Sequence, residues 1–285
     1  MRFILTSYNV RYFSQASHGL HAGRRTMRGI AEALAEQFPD VVALQEVESQ
    51  SLRGGFGHGP QLSRFVSHFR DVTGESGWTA HYVPVHRYGV GTLALYTTGL
   101  GVLVGPRFTA GQPYSTDVTH VRWPIARPLK QRRRVMILPL QAADGARVTV
   151  ANVHLSLPAF FEGTPWTVIE RMGEGSNQRR EATQLVDALT PMPDPAVLCG
   201  DLNAAPRSPV IDQLCASGWH HETAETPPTA VFFHRTMAID HLFTSPSVRV
   251  ERLHVPRIQA SNWSKLSDHA PITATLEVGH GASFR

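Results

Sequence analysis

The sequence predicts a layered α/β domain, and three observations predict it. The chain opens strand, helix, strand within its first 46 residues. Short β-type runs fill its middle, with a hairpin signal among them. Helices recur between the later strands, with no internal repeat and no linker long enough to divide the chain. The 285 residues are therefore read as one unit, 1–285. Hydrophobic residues at 42%, charged residues at 18%, and 23 Gly with 20 Pro exclude a disordered or collagen-like chain. No apolar run approaches the roughly 18 to 20 residues of a membrane span, so a soluble protein is expected.

In order, Arg2 to Val10 alternates and then runs apolar, a strand ending at Asn9. Met27, Ile30, Ala31, Leu34 and Phe38 recur at helical spacing until Pro39 stops them. Val41 to Leu44 is a short buried strand that delivers Gln45 and Glu46 at its carboxyl end. Beyond a glycine-rich loop, Gly54 to Gly59, the spacing of Leu62, Phe65, Val66 and Phe69 predicts a second helix. From Trp78 to Leu157 the pattern is mostly β. Its clearest part is Val135 to Leu140 and Val148 to Leu155 around a turn at Asp144-Gly145. A helix over about 176–189, a strand at Ala196 to Cys199 and a short helix at Pro209 to Ala216 follow. Further strands are expected near 230–233, 238–243, 248–255 and 271–277.

The formal charge is +4, and only Lys130 and Lys265 are lysines, so 25 of the 27 basic residues are Arg. Arginine's planar fork suits phosphate oxygens, which fits a phosphorylated or nucleic-acid partner; a GC-rich genome favouring Arg codons explains the bias equally well. Cys199 and Cys215 sit in otherwise apolar surroundings and form neither a metal-type spacing nor a disulfide framework, and the N-terminus turns polar at Thr6-Ser7, so a reducing, cytoplasmic setting is the default.

Polar groups stand where plain strands do not need them. They are Asn9, Gln45-Glu46, His154 after Val148 to Val153, the Gly200-Asp201-Leu202-Asn203 turn, Asp240 within Ala238 to Phe243, and Ser267-Asp268-His269 before the last strand. Taken singly each has an ordinary reading: Glu46 as a solvated strand exit, Asp201 and Asn203 as turn residues, His154 as a satisfied core histidine, Asp268 as a cap, Asp240 as an arginine's partner. Six such positions at apolar strand ends within 260 residues are instead the polar convergence of a hard-metal hydrolytic site.

Tyr8-Asn9-Val10, Leu44-Gln45-Glu46-Val47, Asn152-Val153-His154-Leu155, Gly200-Asp201-Leu202-Asn203, Ile239-Asp240 and Ser267-Asp268-His269-Ala270-Pro271, in this order, resemble the endonuclease/exonuclease/phosphatase superfamily. The resemblance implies a four-layer α/β/β/α sandwich of two mixed sheets flanked by helices, with one site at the sheets' upper edge. It also implies Glu46 as principal Mg²⁺ ligand, with Mn²⁺ able to substitute, supported by Asn9 and Asp268. Asp201 then orients or deprotonates water, and Asn203 holds that water or a phosphate oxygen. His154 and His269 face the scissile phosphate, and Asp240 orients His269. The superfamily's abasic-site endonucleases have Tyr at the position of His154 and an acidic residue at that of Arg11, so that branch is excluded. Its inositol polyphosphate phosphatases carry an Arg-containing motif where His241-Leu242-Phe243 stands. What remains is a His-Leu subgroup whose implied activity is phosphodiester hydrolysis. Its first expected substrate is DNA or RNA, its alternative a phospholipid head group or small phosphoester, and a monomer is expected. Arg127 and the run Arg132-Arg133-Arg134 favour the polyanion, unless that run is a solvated strand edge. The connection 156–177 carries Phe160, Phe161, Trp166, Ile169 and Met172, and reads either as a substrate lid or as a packed segment.

Overall fold

A computed structural model describes residues 1–15, 22–49, 61–90, 93–119, 132–158, 171–232, 234–258 and 262–279. Strand β1 (Arg2–Asn9) is followed by helix α1 (Arg24–Ala35), β2 (Val41–Ser49), α2 (Gln61–Thr73), β3 (Thr79–Val90) and β4 (Leu93–Val104). Two short strands, β5 (Phe108–Ala110) and β6 (Tyr114–Asp117), lead to β7 (Arg134–Ala142), β8 (Arg147–His154), α3 (Ser176–Leu189), β9 (Ala196–Asp201) and α4 (Pro209–Ala216). The chain then forms β10 (His220–His221), β11 (Ala230–Phe232), β12 (Arg235–Met237), β13 (Asp240–Thr244), β14 (Val248–His254) and β15 (Ile272–Val278).

Two mixed sheets result. The first has the order β14-β15-β1-β2-β4-β3 and the second β10-β13-β9-β8-β7-β5, with β6 also on β7. Each contains one parallel pair joined through a helix, β1 with β2 through α1 and β8 with β9 through α3. Each pair is flanked on both sides by antiparallel strands.

Strand periodicity separates the faces. Phe3, Leu5, Val41, Ala43, Val102, Met136, Leu138, Val148, Val150, Val197, Leu242, Ala274 and Leu276 form one buried layer between the sheets. The alternate residues Tyr8, Val42, Leu44 and Leu103 meet Met27, Ile30, Leu34, Phe65 and Phe69 of α1 and α2. Across the molecule Ile137, Ala151, Val153 and Leu198 meet Ala182, Leu185, Val210 and Leu214 of α3 and α4. This is the α/β/β/α sandwich. At roughly 1.5–3 kcal/mol for each fully buried aliphatic side chain, its three apolar layers outweigh a polar, strained edge.

Several expectations need correction. Phe38 does not continue the stripe of α1: the helix ends at Ala35, and Phe38 adopts a φ of 49° and is 80% exposed. Strand β2 does not stop at Leu44 but runs to Ser49 through a bulge between Leu44 and Val47. Cys215 is exposed, whereas Cys199 is buried and its thiol is pushed up to about 12 by burial. Gly54 to Gly59 and Arg127 lie outside the described residues, as do Phe160, Phe161, Trp166 and Ile169. Met172 is buried against Ala230 and Ile239, so it belongs to packing.

Candidate active site

The inner faces of the two sheets change character as they rise toward the carboxyl ends of the parallel strands. Above the apolar layer lies a neutral polar one. Gln45 Nε2 donates to Asn152 Oδ1 at 2.7 Å and to Ser7 Oγ at 3.2 Å, while Asn152 Nδ2 donates to the carbonyls of Leu44 and Gly101. These bonds tie one sheet to the other and satisfy the Gln45 and Asn152 amide nitrogens, while Gln45 Oε1 has no partner among the described residues. Further toward the carboxyl ends, two residues beyond Ser7 and Asn152 and one beyond Gln45, stand the polar groups of the site. Asn9 ends β1 and Glu46 stands at the bulge inside β2, while His154 and Asp201 end β8 and β9 in register with each other. Asp240 opens β13 directly opposite Asp201.

Local backbone geometry aims these side chains. Glu46 sits at the bulge of β2 with a φ of 56°, which lets it follow Gln45 without reverting to the helix-facing side taken by Val47. Gly200 has a φ of 143°, and a β-carbon there would lie 1.9 Å from the Val153 carbonyl oxygen, so glycine is required for β9 to close on β8. Asn203 at φ 48° completes the turn, and its N–H caps Asp201 Oδ1 at 2.9 Å. Arg11, Tyr12 and Phe13 make a left-handed run at φ of 43°, 55° and 57°. Among the described residues, five of seven non-glycine residues with positive φ thus lie at this edge, at about 1–3 kcal/mol each.

Asp201 is the hub. Its Oδ2 accepts from Asn9 Nδ2 at 3.0 Å, and lies 3.4 Å from His154 Nε2 and 3.8 Å from His269 Nε2. Burial, and then the Asp240 carboxylate, push its carboxyl up to about 7. The two histidines are driven in opposite directions. Burial, helped by the charges of Arg133 and His269, holds His154 well below the usual imidazole range. Burial also opposes charge on His269, but Asp240, Asp201 and Asp268 outweigh it and raise His269 well above that range. The His269 Nδ1–H donates to Asp240 Oδ2 at 2.8 Å, which fixes the tautomer and leaves Nε2 toward Asp201. Among the described residues, Asp240 pairs with a histidine and with no arginine.

Glu46 is raised by burial and by the Asp268 carboxylate, and its Oε1 lies 4.0 Å from His154 Nε2. Asp268 Oδ2 meets Arg11 Nη1 at 3.3 Å. All eight sequence-selected residues are therefore brought to one edge. Asp201, Asp240 and His269 also converge as a group of possible metal ligands. Because His269 favours its protonated form and already bonds Asp240, that trio is better suited to hold a proton than a cation.

Other residues support these, and of them the sequence marked Ser267 and Arg133 without their partners and did not mark Gln178. Ser267 Oγ donates to the Asn9 carbonyl and accepts from the His269 N–H. Gln178 Nε2 bridges the carbonyls of Ser156 and Asn203, joining the segments after His154 and Asp201. Arg133, expected with Arg132 and Arg134 on a basic surface, turns its Nε to Ser156 Oγ, while Arg134 pairs with Asp117 and Arg132 stays exposed. Gln178 lies in the first turn of α3 and Arg133 at the entry to β7, where no periodicity marks a partner. Leu202 packs with the outer-helix layer, away from the chemistry.

The fold and edge define a four-layer phosphoesterase-type sandwich with its polar site at the strands' carboxyl ends. The profile of the endonuclease/exonuclease/phosphatase family matches residues 6–269, and the chain belongs to that family, whose members are phosphoester hydrolases generally using a divalent metal. Among solved structures it is similar to an endonuclease/exonuclease/phosphatase from Beutenbergia cavernae DSM 12333, at 19% identity and TM-score 0.69, over 98% of this chain and 72% of that one. It is also similar to the catalytic domain of human Nocturnin with bound sulfate, at 16% identity and TM-score 0.65, over 98% and 94%. A third is ANGEL2, a 2',3'-cyclic phosphatase in complex with adenosine-2',3'-vanadate, at 16% identity and TM-score 0.65, over 98% and 96%. No curated protein matches by sequence.

Proposed function

We propose that this chain is a Mg²⁺-dependent phosphodiesterase acting on nucleic acid, a single catalytic domain over 1–285 working as a cytoplasmic monomer. One observation carries the reading: a carboxylate poised near neutrality lies between two imidazoles, one biased to the neutral form and one to the charged form.

The donor set fits a hard divalent cation. Glu46, Asp268 and Asn9 offer oxygen ligands, and Glu46 is largely desolvated, with the Asp268 carboxylate also acting on it, which disfavours its charge until a cation is present. Mg²⁺, held by Glu46 with Asn9 and Asp268, would supply Lewis-acid stabilisation of charge on the phosphoryl oxygens.

The chain's own residues supply the rest. Asp201 orients the attacking water and takes its proton, a task matched to a value near the working pH. Asn203 holds that water or a phosphate oxygen: its Nδ2 donates to the Leu155 carbonyl at 3.0 Å and keeps a second N–H. His269 presents a charged Nε2–H to the oxygen that gains charge, and Asp240 keeps its ring in that tautomer. His154, neutral, hydrogen-bonds a non-bridging oxygen. The Arg-rich composition, with Arg133 half-buried near His154, favours a polyanion over a lipid head group. A substrate panel of DNA, RNA, bis-p-nitrophenyl phosphate and sphingomyelin, each with Mg²⁺ or chelator, tests this. Oligonucleotide hydrolysis that needs Mg²⁺ and falls steeply with ionic strength is expected. Preferential cleavage of sphingomyelin, or indifference to salt, would overturn the nucleic-acid assignment.

A further inference from the structure

The Asp240–His269 pair joins two segments 29 residues apart, and something must hold its 2.8 Å contact. Ser267 anchors His269 on one side only, through the His269 N–H. The other anchor is Thr229, a fully buried residue before β11. Its Oγ1 accepts from the backbone N–H groups of both Ile239 and Asp240, each at 3.1 Å. Its carbonyl accepts from the Ala270 N–H at 2.6 Å, and its N–H donates to the Met237 carbonyl at 2.8 Å. The next residues continue the connection: Ala230 bridges antiparallel to His269, and Val231 N–H donates to the Asp268 carbonyl at 2.8 Å. One side chain thus grips the backbone of the orienting aspartate, while the same residue's main chain grips the residue after the histidine. A closed ring follows: Asp240 carboxylate, His269 ring, Ala270 N–H, Thr229 carbonyl, Thr229 hydroxyl, Asp240 N–H. Pro227 and Pro228, with fixed φ, stiffen the approach to it.

We propose that Thr229 is the positioning residue of the Asp240–His269 pair, setting the distance and angle of their hydrogen bond without touching substrate. The proposal rests on the reading of that pair as the proton-holding element of phosphoester hydrolysis. Among the described residues, the hydrogen bonds of Thr229 all go to main-chain groups, so its effect passes through backbone placement. The residue type matters because only a short hydroxyl can accept two successive main-chain N–H groups here. Valine has the same shape but would leave both N–H groups buried and unpaired.

The test compares Thr229→Val, Thr229→Ala and Thr229→Ser in the full chain. On a Mg²⁺-supported phosphodiester substrate, Val and Ala are expected to lower kcat about tenfold with KM within twofold, while Ser returns kcat to within twofold of wild type. Independently of any substrate, wild type is expected to show a deshielded His269 Nδ1–H proton by NMR, which should shift upfield or broaden in Val and Ala and be restored in Ser. If Val does not fold, Ala against Ser still isolates the hydroxyl, since both lack the methyl group. Wild-type kcat and an unshifted proton in Val or Ala would overturn the proposal, as would Ser impaired as much as Ala. Inactivity of wild type on every phosphoester, with the proton still responding to Thr229, would sink the functional reading and leave the positioning role standing.

Discussion

The two parallel strand pairs are built alike and equipped differently. In the first sheet, β1 ends in Asn9 and β2 carries Glu46 at its bulge, oxygen donors placed beside a strained left-handed run. In the second, β8 and β9 end in His154 and Asp201, held in register by regular pairing, a glycine close approach and a cap from Asn203. The difference teaches how one scaffold yields two kinds of chemistry. The first half presents unneutralised oxygen to a cation, and the second presents groups that share protons. Charge on Glu46 waits for an external ion, whereas charge on His269 is supplied with its own carboxylates.

Breaking the first half should have the largest effect. Glu46→Gln removes a hard ligand and is expected to lower Mg²⁺-supported kcat by about 10³-fold, since a catalytic ion is worth several kcal/mol. The same change should leave the melting temperature of the metal-free protein unchanged or higher, because it relieves crowding with Asp268. A large fall in melting temperature would mean that Glu46 is structural.

Breaking the second half should cost less. Asp240→Asn is expected to reduce kcat by roughly 10²-fold with little change in KM, because it disturbs orientation of His269 and no substrate contact. A variant altered only in KM would contradict that role. Gly200→Ala tests the scaffold beneath: the clash with Val153 should lower the urea midpoint by an amount equivalent to about 2–3 kcal/mol. An unchanged midpoint would show that β9 can move away from β8 at no cost.

The smallest effect sharpens the comparison through pH. Asp201 titrates near 7 in the folded protein against 3.8 ordinarily, so the folded state holds the proton more tightly. Its contribution is favourable below about 4 and is lost as pH rises toward 7. In metal-free protein, Asp201→Asn should therefore gain stability relative to wild type between pH 4 and 7, and the difference should level off above 7. Thermal melts across that range check it, and a difference independent of pH would show that Asp201 is not strained.

Much of this was legible in the sequence because strands and helices announce themselves by period. Met27, Ile30, Ala31 and Leu34 gave α1, and Val41 to Leu44 gave the start of β2. The eight candidate residues were legible because each is a polar group at an apolar strand end. What could not be read depends on contacts between segments far apart. The bulge at Glu46 is a register shift against β4, Phe38 leaves the helix because Pro39 ends the turn, and Thr229 looks like any loop threonine until Asp240 and Ala270 close around it. Opposite shifts in two histidines follow from burial and carboxylate placement, which composition does not carry.

The most direct test of the central claim is the hydrolysis rate of a DNA or RNA oligonucleotide by the wild-type chain, measured against free Mg²⁺ from excess chelator upward. The account predicts no turnover in chelator and a saturable rise that Mn²⁺ can reproduce. Full activity in excess chelator would contradict it.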